Sequence, residues 1–347
     1  MTVGLGIIGA GIMGERLLRA ALDHAGDAVH VTGVWDAAPA ALDRIGAAVL
    51  DRIGADAADR IGADAPGVGR GASAEAVIAG ADCVYVATPP GTHLGYARMA
   101  LAAGKAVFLE KPLAADLGDS RRFLGEADGA RVGVNFPFAS SPAVAALAGW
   151  LQAGVTGAPR GFSIDVGFAA WPRPWQRDAA AWLDGRAEGG FTREVVSHFL
   201  FLSRRLLGPL QLQSSYAEYP AEGSGSEVAV RARLDAGGLP GRLEGAVGGT
   251  SADDSNSWTV SGISDIRLRD WSFAERQRPD GSWVGDPDAV PNERLRPLVL
   301  HRQLQEVARM TRGEAHRLAT VTEAFEVQEV VEAILTAMPL PGVTRRA

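Results

Sequence analysis

Lysine is nearly absent from this chain. Of 34 basic residues in 347, only Lys105 and Lys111 are lysine and the rest are arginine, so a lysine that is kept invites a question about its chemistry. Cysteine is limited to Cys83, which excludes an internal disulfide framework and a cysteine-built cluster; no metal site is expected. No uninterrupted apolar stretch reaches the ~18 residues needed to span a bilayer, so no membrane partner is expected. No dense basic patch interrupts a net charge of −7, which argues against nucleic acid as a partner. The opening MTVGLGIIGAGIMG has no basic n-region, and glycines break its apolar run, so it does not read as a secretory signal. A cytoplasmic location is the expectation.

What is present is an ordinary globular composition long enough for two domains. In the first half, β-rich runs alternate with helical periodicity. Val3 to Ile8, Val29 to Trp35, Ala81 to Ala87, Ala106 to Leu109 and Arg131 to Val134 read as strands. Helical patterns start at Glu15 and cover roughly Leu94 to Ala103. Strands separated by helices imply parallel βαβ units in a doubly wound sheet. The second half differs. Arg160–Phe168, Leu210–Tyr219, Glu227–Leu234, Arg242–Val247, Trp258–Ser261 and Ile266–Trp271 read as strands, several alternating with period two. They predict a largely antiparallel sheet, with helices at Pro142–Gln152 and Val195–Leu207 before most of it and Arg302–Arg312 and Val321–Met338 after it. The fold class is therefore α/β, with domains at 1–137 and 138–347.

Between Asp43 and Pro66 stand three near-copies of one octad, each opening Asp-Arg-Ile-Gly-Ala. Eight residues at ~100° overshoot two helical turns, so Ile45, Ile53 and Ile61 do not share one straight stripe. The array reads as a tandem duplication that lengthens a surface helix or loop, and deleting Asp51–Pro66 is expected to change little.

Three motifs carry chemistry. Gly9-x-Gly11-x-x-Gly14 follows a strand, opens a helix, and is followed about 20 residues on by Asp36 at the next strand's end, the context that makes this pattern a dinucleotide fingerprint. Gly9 permits the tight turn, Gly11 the approach of a pyrophosphate, and Gly14 close helix–strand packing. Asp36 suits the adenine-ribose hydroxyls and repels a 2′-phosphate, so NAD is expected over NADP. Thr88-Pro89-Pro90-Gly91-Thr92-His93 and Glu110-Lys111-Pro112 stand at the carboxyl ends of two strands, the edge where such sheets bind ligands. Arginine stays protonated, whereas lysine releases its proton when perturbed. Finally, Gly189-Gly190-Phe191-Thr192-Arg193-Glu194-Val195-Val196-Ser197-His198 opens a helix on which Glu194 and His198 are four apart and share a face. Trp171-Pro-Arg-Pro-Trp175-Gln176 precedes it as a candidate lid. His24, His30, His301 and His316 are given no chemistry.

Together, Gly9-x-Gly11-x-x-Gly14, Ala87-Thr-Pro-Pro-Gly-Thr-His93, Ala102-Ala-Gly-Lys105 and Glu110-Lys111-Pro112 resemble the Gfo/Idh/MocA oxidoreductases. The resemblance implies a Rossmann domain followed by an α/β domain with a large open sheet that commonly forms an oligomer interface. It also implies catalytic roles for Lys111 and His198, with Glu194 orienting the imidazole. The chain departs from the family in having Glu194 where aspartate is usual, and Asn135-Phe136-Pro137-Phe138 after the last Rossmann strand. The expected cofactor-binding residues are Gly9, Gly11, Ile12, Met13, Gly14, Asp36, Thr88, Pro89, His93, Glu110, Lys111 and Asn135. Trp171, Trp175, Gln176 and Arg193 are expected at a small-molecule substrate. The expected activity is NAD(P)-dependent hydride transfer at a carbinol or carbonyl carbon of a sugar, polyol or related molecule. The expected assembly is a dimer or tetramer through the second sheet. Two rivals stand beside this reading: the same fold reducing an imine or a natural-product ketone, and a cofactor-binding regulator without catalysis.

Overall fold

The computed structural model describes residues 2–46, 49, 53 and 69–336. They form two units, one running to Ser140 and resuming at Arg296–Phe325, the other Ser141–Leu295 with Glu326 onward. In the first unit, β1 (Val3–Ile8), β2 (Val29–Trp35), β3 (Gly69–Arg70), β4 (Cys83–Val86), β5 (Ala106–Glu110) and β6 (Val132–Asn135) lie in the order β3-β2-β1-β4-β5-β6. Every pairing is parallel. β1, β4, β5 and β6 are buried from end to end, as parallel strands covered on both faces must be. This is the doubly wound order, and the switch between β1 and β4 opens the crevice at the strands' carboxyl ends.

The single boundary at 137 does not describe this division. The chain returns to the first unit through the helix Asn292–Thr311, which starts earlier than the predicted Arg302 and runs through Pro297. Leu300, Leu304 and Val307 form one helical stripe and join Leu5, Leu17 and Val31 in the core. Gly133 makes room for Met310 and Leu318, and Val134 N–H donates to Ala319 at 2.9 Å, so the open edge of β6 is covered.

Most of the octad array lies outside the described residues. Ile45 and Ile53, however, are both buried in the first unit's core, and Val49 packs against it. A deletion from Asp51 takes Ile53 with it. Emptying such a site costs about 2–5 kcal/mol, so the first two copies are not a dispensable extension.

In the second unit, β7 (Gly161–Phe168), β8 (Leu210–Glu218), β9 (Ala229–Ala236), β10 (Leu239–Val247), β11 (Ser255–Ser261), β12 (Ile266–Arg269), β13 (Phe273–Gln277) and β14 (Trp283–Gly285) form one sheet. Its order is β14-β13-β12-β11-β7-β10-β9-β8. All pairs are antiparallel except β7 with β10. Alternation puts Phe162, Ile164, Val230, Leu234, Leu243 and Trp258 on a buried face. The opposite face is charged, with Arg231, Arg233, Arg242, Glu244 and Asp165 in register and Arg242 paired to Asp165 at 2.8 Å. β13 and β14 escaped the sequence reading. The run Ile266–Trp271 is not one strand: it breaks where Asp270 and Trp271 take φ of 48° and 67°. No helix among the described residues is long and apolar enough to cross a membrane.

Candidate cofactor and active site

The glycine loop follows β1. Gly9 takes φ +102°, and a Cβ there would strike the Ala87 carbonyl carbon at 2.5 Å; a Cβ on Gly14 would lie 1.8 Å from Gly9 O. These two glycines are required by the chain's own packing. Gly11 is different. Nothing lies within 4 Å of where its Cβ would be, and it caps the helix Ile12–His24 with no side chain of its own. The first-turn N–H groups of Ile12, Met13 and Gly14 lack intrahelical partners by construction. Open space over a bare helix N-terminus fits a pyrophosphate.

Asp36 stands at the end of β2. Its Oδ2 accepts from Ala10 N–H and its Oδ1 from Ala38 N–H, both at 2.7 Å. A carboxylate has about four acceptor positions, which leaves capacity for a ribose diol. No cation follows Asp36 at Ala37-Ala38, but the fold brings one from farther on: Arg44 donates to Ala10 O at 3.2 Å. NAD(H) is expected to bind more tightly than NADP(H). Asp36→Ala should weaken NAD(H) by roughly tenfold, the worth of a charge-assisted hydrogen bond. NADP(H) should lose less, because the repulsion goes and Arg44 stays. Fluorescence titration of both cofactors checks this, and a wild type that prefers NADP(H) would refute it.

Thr88 and Pro89 form the turn after β4. Thr92 Oγ1 donates to Thr88 Oγ1 at 2.8 Å, and Pro89 is exposed. His93 does not face outward as expected of a cofactor contact. It is 1% exposed, with Nε2 at 2.6 Å from Thr88 O and Nδ1 at 2.8 Å from Pro112 O. Both neighbours are carbonyls, so both contacts are hydrogen bonds only when both ring nitrogens carry protons. The ring clasps the turn after β4 to the turn after β5, and so to half-buried Lys111. His93→Ala should cost about 2–3 kcal/mol through two abandoned carbonyls, visible as a lowered calorimetric melting temperature. An unchanged melt would show that His93 does not hold the two turns together.

Glu110 and Asn135 end β5 and β6 beneath this edge. Both are buried and meet each other rather than the surface. Asn135 Nδ2 donates to Glu110 Oε1 at 2.6 Å, Tyr85 O–H donates to the same oxygen, and Gln303 Nε2 donates to Asn135 Oδ1 at 2.6 Å. Burial, and then the Glu110 charge, push the Tyr85 phenol well above its usual range. Tyr85 and Gln303 were missed in the sequence. A phenol inside Cys83-Val84-Tyr85-Val86, a strand buried on both faces, was the available signal, since it has to find a partner. Cys83 offers no chemistry here: burial pushes its thiol up to about 12.

In the second unit, Gly189 and Gly190 precede the candidate helix. A Cβ on Gly189 would meet Leu183 O at 2.2 Å, and one on Gly190, at φ +100°, would meet Glu227 Oε2 at 2.2 Å. Glu227 Oε1 accepts from Thr192 N–H at 2.7 Å. Burial raises this carboxyl above its ordinary value. Thr192–Val196 is a π-helical turn leading into the α-helix Ser197–Leu207, a feature frequent at functional sites. Between Phe191 and Ser203, only Glu194 and His198 are not fully buried, so the two share the helix's open face.

The remaining substrate candidates divide. Arg193 is buried, gripped by Glu332 at 2.7 Å through Nε and Nη2, and donates to Arg186 O and Gly189 O; it anchors the helix rather than a substrate. Trp171 packs on Phe168 and Phe191 and donates to Leu183 O. Gln176 is buried against Arg173. Trp171 is half-buried, and Trp175 reaches farthest into solvent, 47% exposed.

A glycine loop at a helix start, an acidic strand end and a lysine at the carboxyl edge of a doubly wound sheet define the class, a nicotinamide-dinucleotide-dependent oxidoreductase. Residues 3–136 match the model of the Gfo/Idh/MocA oxidoreductase family, NAD-binding Rossmann fold. No curated protein matches the chain by sequence. Solved structures match its fold nearly end to end. An oxidoreductase from Agrobacterium radiobacter in complex with NAD+, L-tartaric acid and magnesium is similar at TM-score 0.74 and 18% identity, over 96% of this chain and 95% of that one. A 3-ketoreductase from Actinomadura kijaniata with NADP and TDP-benzene gives 0.73 and 18%, over 97% and 98%. The WlbA dehydrogenase from Bordetella pertussis with NADH and UDP-GlcNAcA gives 0.70 and 21%, over 96% and 95%.

Proposed function

We propose that the protein is a cytoplasmic enzyme that interconverts a carbinol and a carbonyl on a sugar, polyol or related small molecule, with NAD(H) as its preferred partner. When bound, the nicotinamide supplies or accepts the hydride. Ile12, Met13 and Gly14 present N–H groups to the pyrophosphate, and Asp36 takes the ribose. Lys111 holds the substrate oxygen and stabilises charge on it. His198 moves the hydroxyl proton, since an imidazole titrates near neutrality, and Glu194 orients it. The observation that carries this reading is the placement of Lys111, one of two lysines in the chain, directly after β5 at the sheet's ligand-binding edge.

The test is a panel of keto-sugars, inosose-type ketones and nucleotide-linked keto-sugars mixed with NADH, followed by absorbance of the reduced cofactor. The nucleotide-linked compounds are included because two similar structures hold UDP-GlcNAcA and TDP-benzene. Consumption of NADH with one of them supports the reading. Cofactor binding with no turnover across the panel favours a regulator.

The reading extends to assembly. A second copy docks on the charged face of the second sheet, which carries Arg231, Arg233, Arg242, Glu244 and Asp165. Sedimentation should show a homo-oligomer that weakens with salt; a monomer at low salt would refute it.

A further inference from the structure

Among the described residues, Asp270 and Trp271 are the residues other than glycine with positive φ, 48° and 67°. They form the turn between β12 and β13, closed by Ser272 N–H donating to Arg269 O at 3.2 Å. Such two-residue left-handed turns usually carry asparagine and glycine. A tryptophan at this φ bears a steric penalty that glycine escapes, and strain of this kind persists only where its surroundings enforce it.

The surroundings here are specific. Trp271 N–H donates to Asn256 Oδ1 at 3.0 Å, and Asp270 N–H to Asn256 O at 3.1 Å. The indole N–H donates to Asp254 Oδ1 at 3.2 Å. Asp254 is itself tied to Arg173 at 2.7 Å, whose guanidinium lies over Trp171 at 5.7 Å and Trp175 at 4.8 Å. Held this way, the indole meets Phe199 at 5.2 Å and the His198 imidazole at 5.8 Å, the latter with planes 76° apart.

We infer that Trp271 is a positioning residue for His198. The strained turn is retained because it lays the indole against the imidazole, restricting ring rotation and shielding that side from water. A relaxed glycine turn would leave the imidazole unsupported there. The inference rests on His198 as the group that moves the substrate proton.

The experiment compares Trp271→Gly, Trp271→Ala, Trp271→Phe and His198→Asn in the full chain. Trp271→Gly and Trp271→Ala lose the same ring, and only alanine keeps the strain. Trp271→Gly should therefore melt about 2–4 °C above Trp271→Ala. Yet its kcat should fall by about tenfold or more with KM within threefold, and Trp271→Phe should restore most of it. A loss confined to KM, or a kcat that merely follows the folded fraction, would overturn the inference. Should Trp271→Gly fail to fold, Trp271→Phe against Trp271→Ala makes the same comparison of kcat and KM.

A readout independent of activity separates this inference from the reading beneath it. Carbethoxylation of His198 in the folded protein, followed by mass spectrometry, should run about fivefold faster in Trp271→Gly than in wild type and close to wild type in Trp271→Phe. Equal rates in all three would overturn the positioning role. Full turnover in His198→Asn would instead overturn the role of His198, whatever the carbethoxylation shows.

Discussion

Lys111→Arg is expected to lower turnover by about 10²-fold or more, the range for lost acid–base assistance, while NAD affinity and melting temperature stay close to wild type. Arginine fills nearly every other basic position in this chain, so a structural positive charge at 111 should accept it. The functional reading predicts otherwise. A guanidinium is planar, wider than an ammonium and unable to give up its proton near neutral pH. It would crowd the substrate oxygen and close any proton path through the side chain. The position is also tightly specified, because the turn after β5 is clasped by His93 to the turn after β4, which leaves the backbone little freedom to absorb a longer side chain. Steady-state kinetics on the true substrate, with calorimetry on the same samples, checks this. Near-normal turnover would remove Lys111 from the mechanism and leave His198 alone.

His198→Asn is expected to reduce turnover by roughly 10²–10⁴-fold, the usual contribution of a positioned general acid or base. Asparagine keeps a polar group and much of the shape but does not titrate, so the rate should also lose the pH dependence that an imidazole imposes. The helix should survive. Its anchors lie elsewhere, in the Arg193–Glu332 pair, the Glu227 acceptor at Thr192, and Phe199, Phe201 and Leu202 in the core. A variant that folds, binds NAD(H) and retains turnover would show that the half-exposed Glu194–His198 face is surface and not site.

Sequence alone was informative wherever the determining physics is local. The glycine loop, Asp36 and Lys111 are legible because a tight turn, a helix start and a strand end each constrain their own neighbourhood. Strands β1, β2, β4, β5 and β6 come out within a residue or two for the same reason, as continuous apolar runs bounded by turns, whereas the two-residue β3 is too short to show such a run. What escaped depends on partners far away in the chain. Arg193 reads as a substrate contact until Glu332, 139 residues on, takes its guanidinium. Asn135 and Glu110 read as cofactor contacts until Gln303, 168 residues after Asn135, closes their buried network. His93 looks like an edge residue in its motif, and only the turn after β5, which brings Pro112 O within 2.8 Å, gives its second nitrogen an acceptor. The two-domain division failed at its C-terminal end because the stripe Leu300, Leu304, Val307 says that a face is buried but not against which unit. Trp271 was hidden inside a β-rich run, since nothing in its neighbours' identity announces a left-handed backbone.

The proposed reaction passes a hydride between the nicotinamide and a carbon of the substrate. Its most direct test is a turnover with NADH carrying deuterium at both C4 positions, the product then weighed and mapped by mass spectrometry. One deuterium should appear on the carbinol carbon of the product, and none on oxygen after exchange into water. A product formed without deuterium at that carbon, or NADH consumed with no reduced product, would contradict the account.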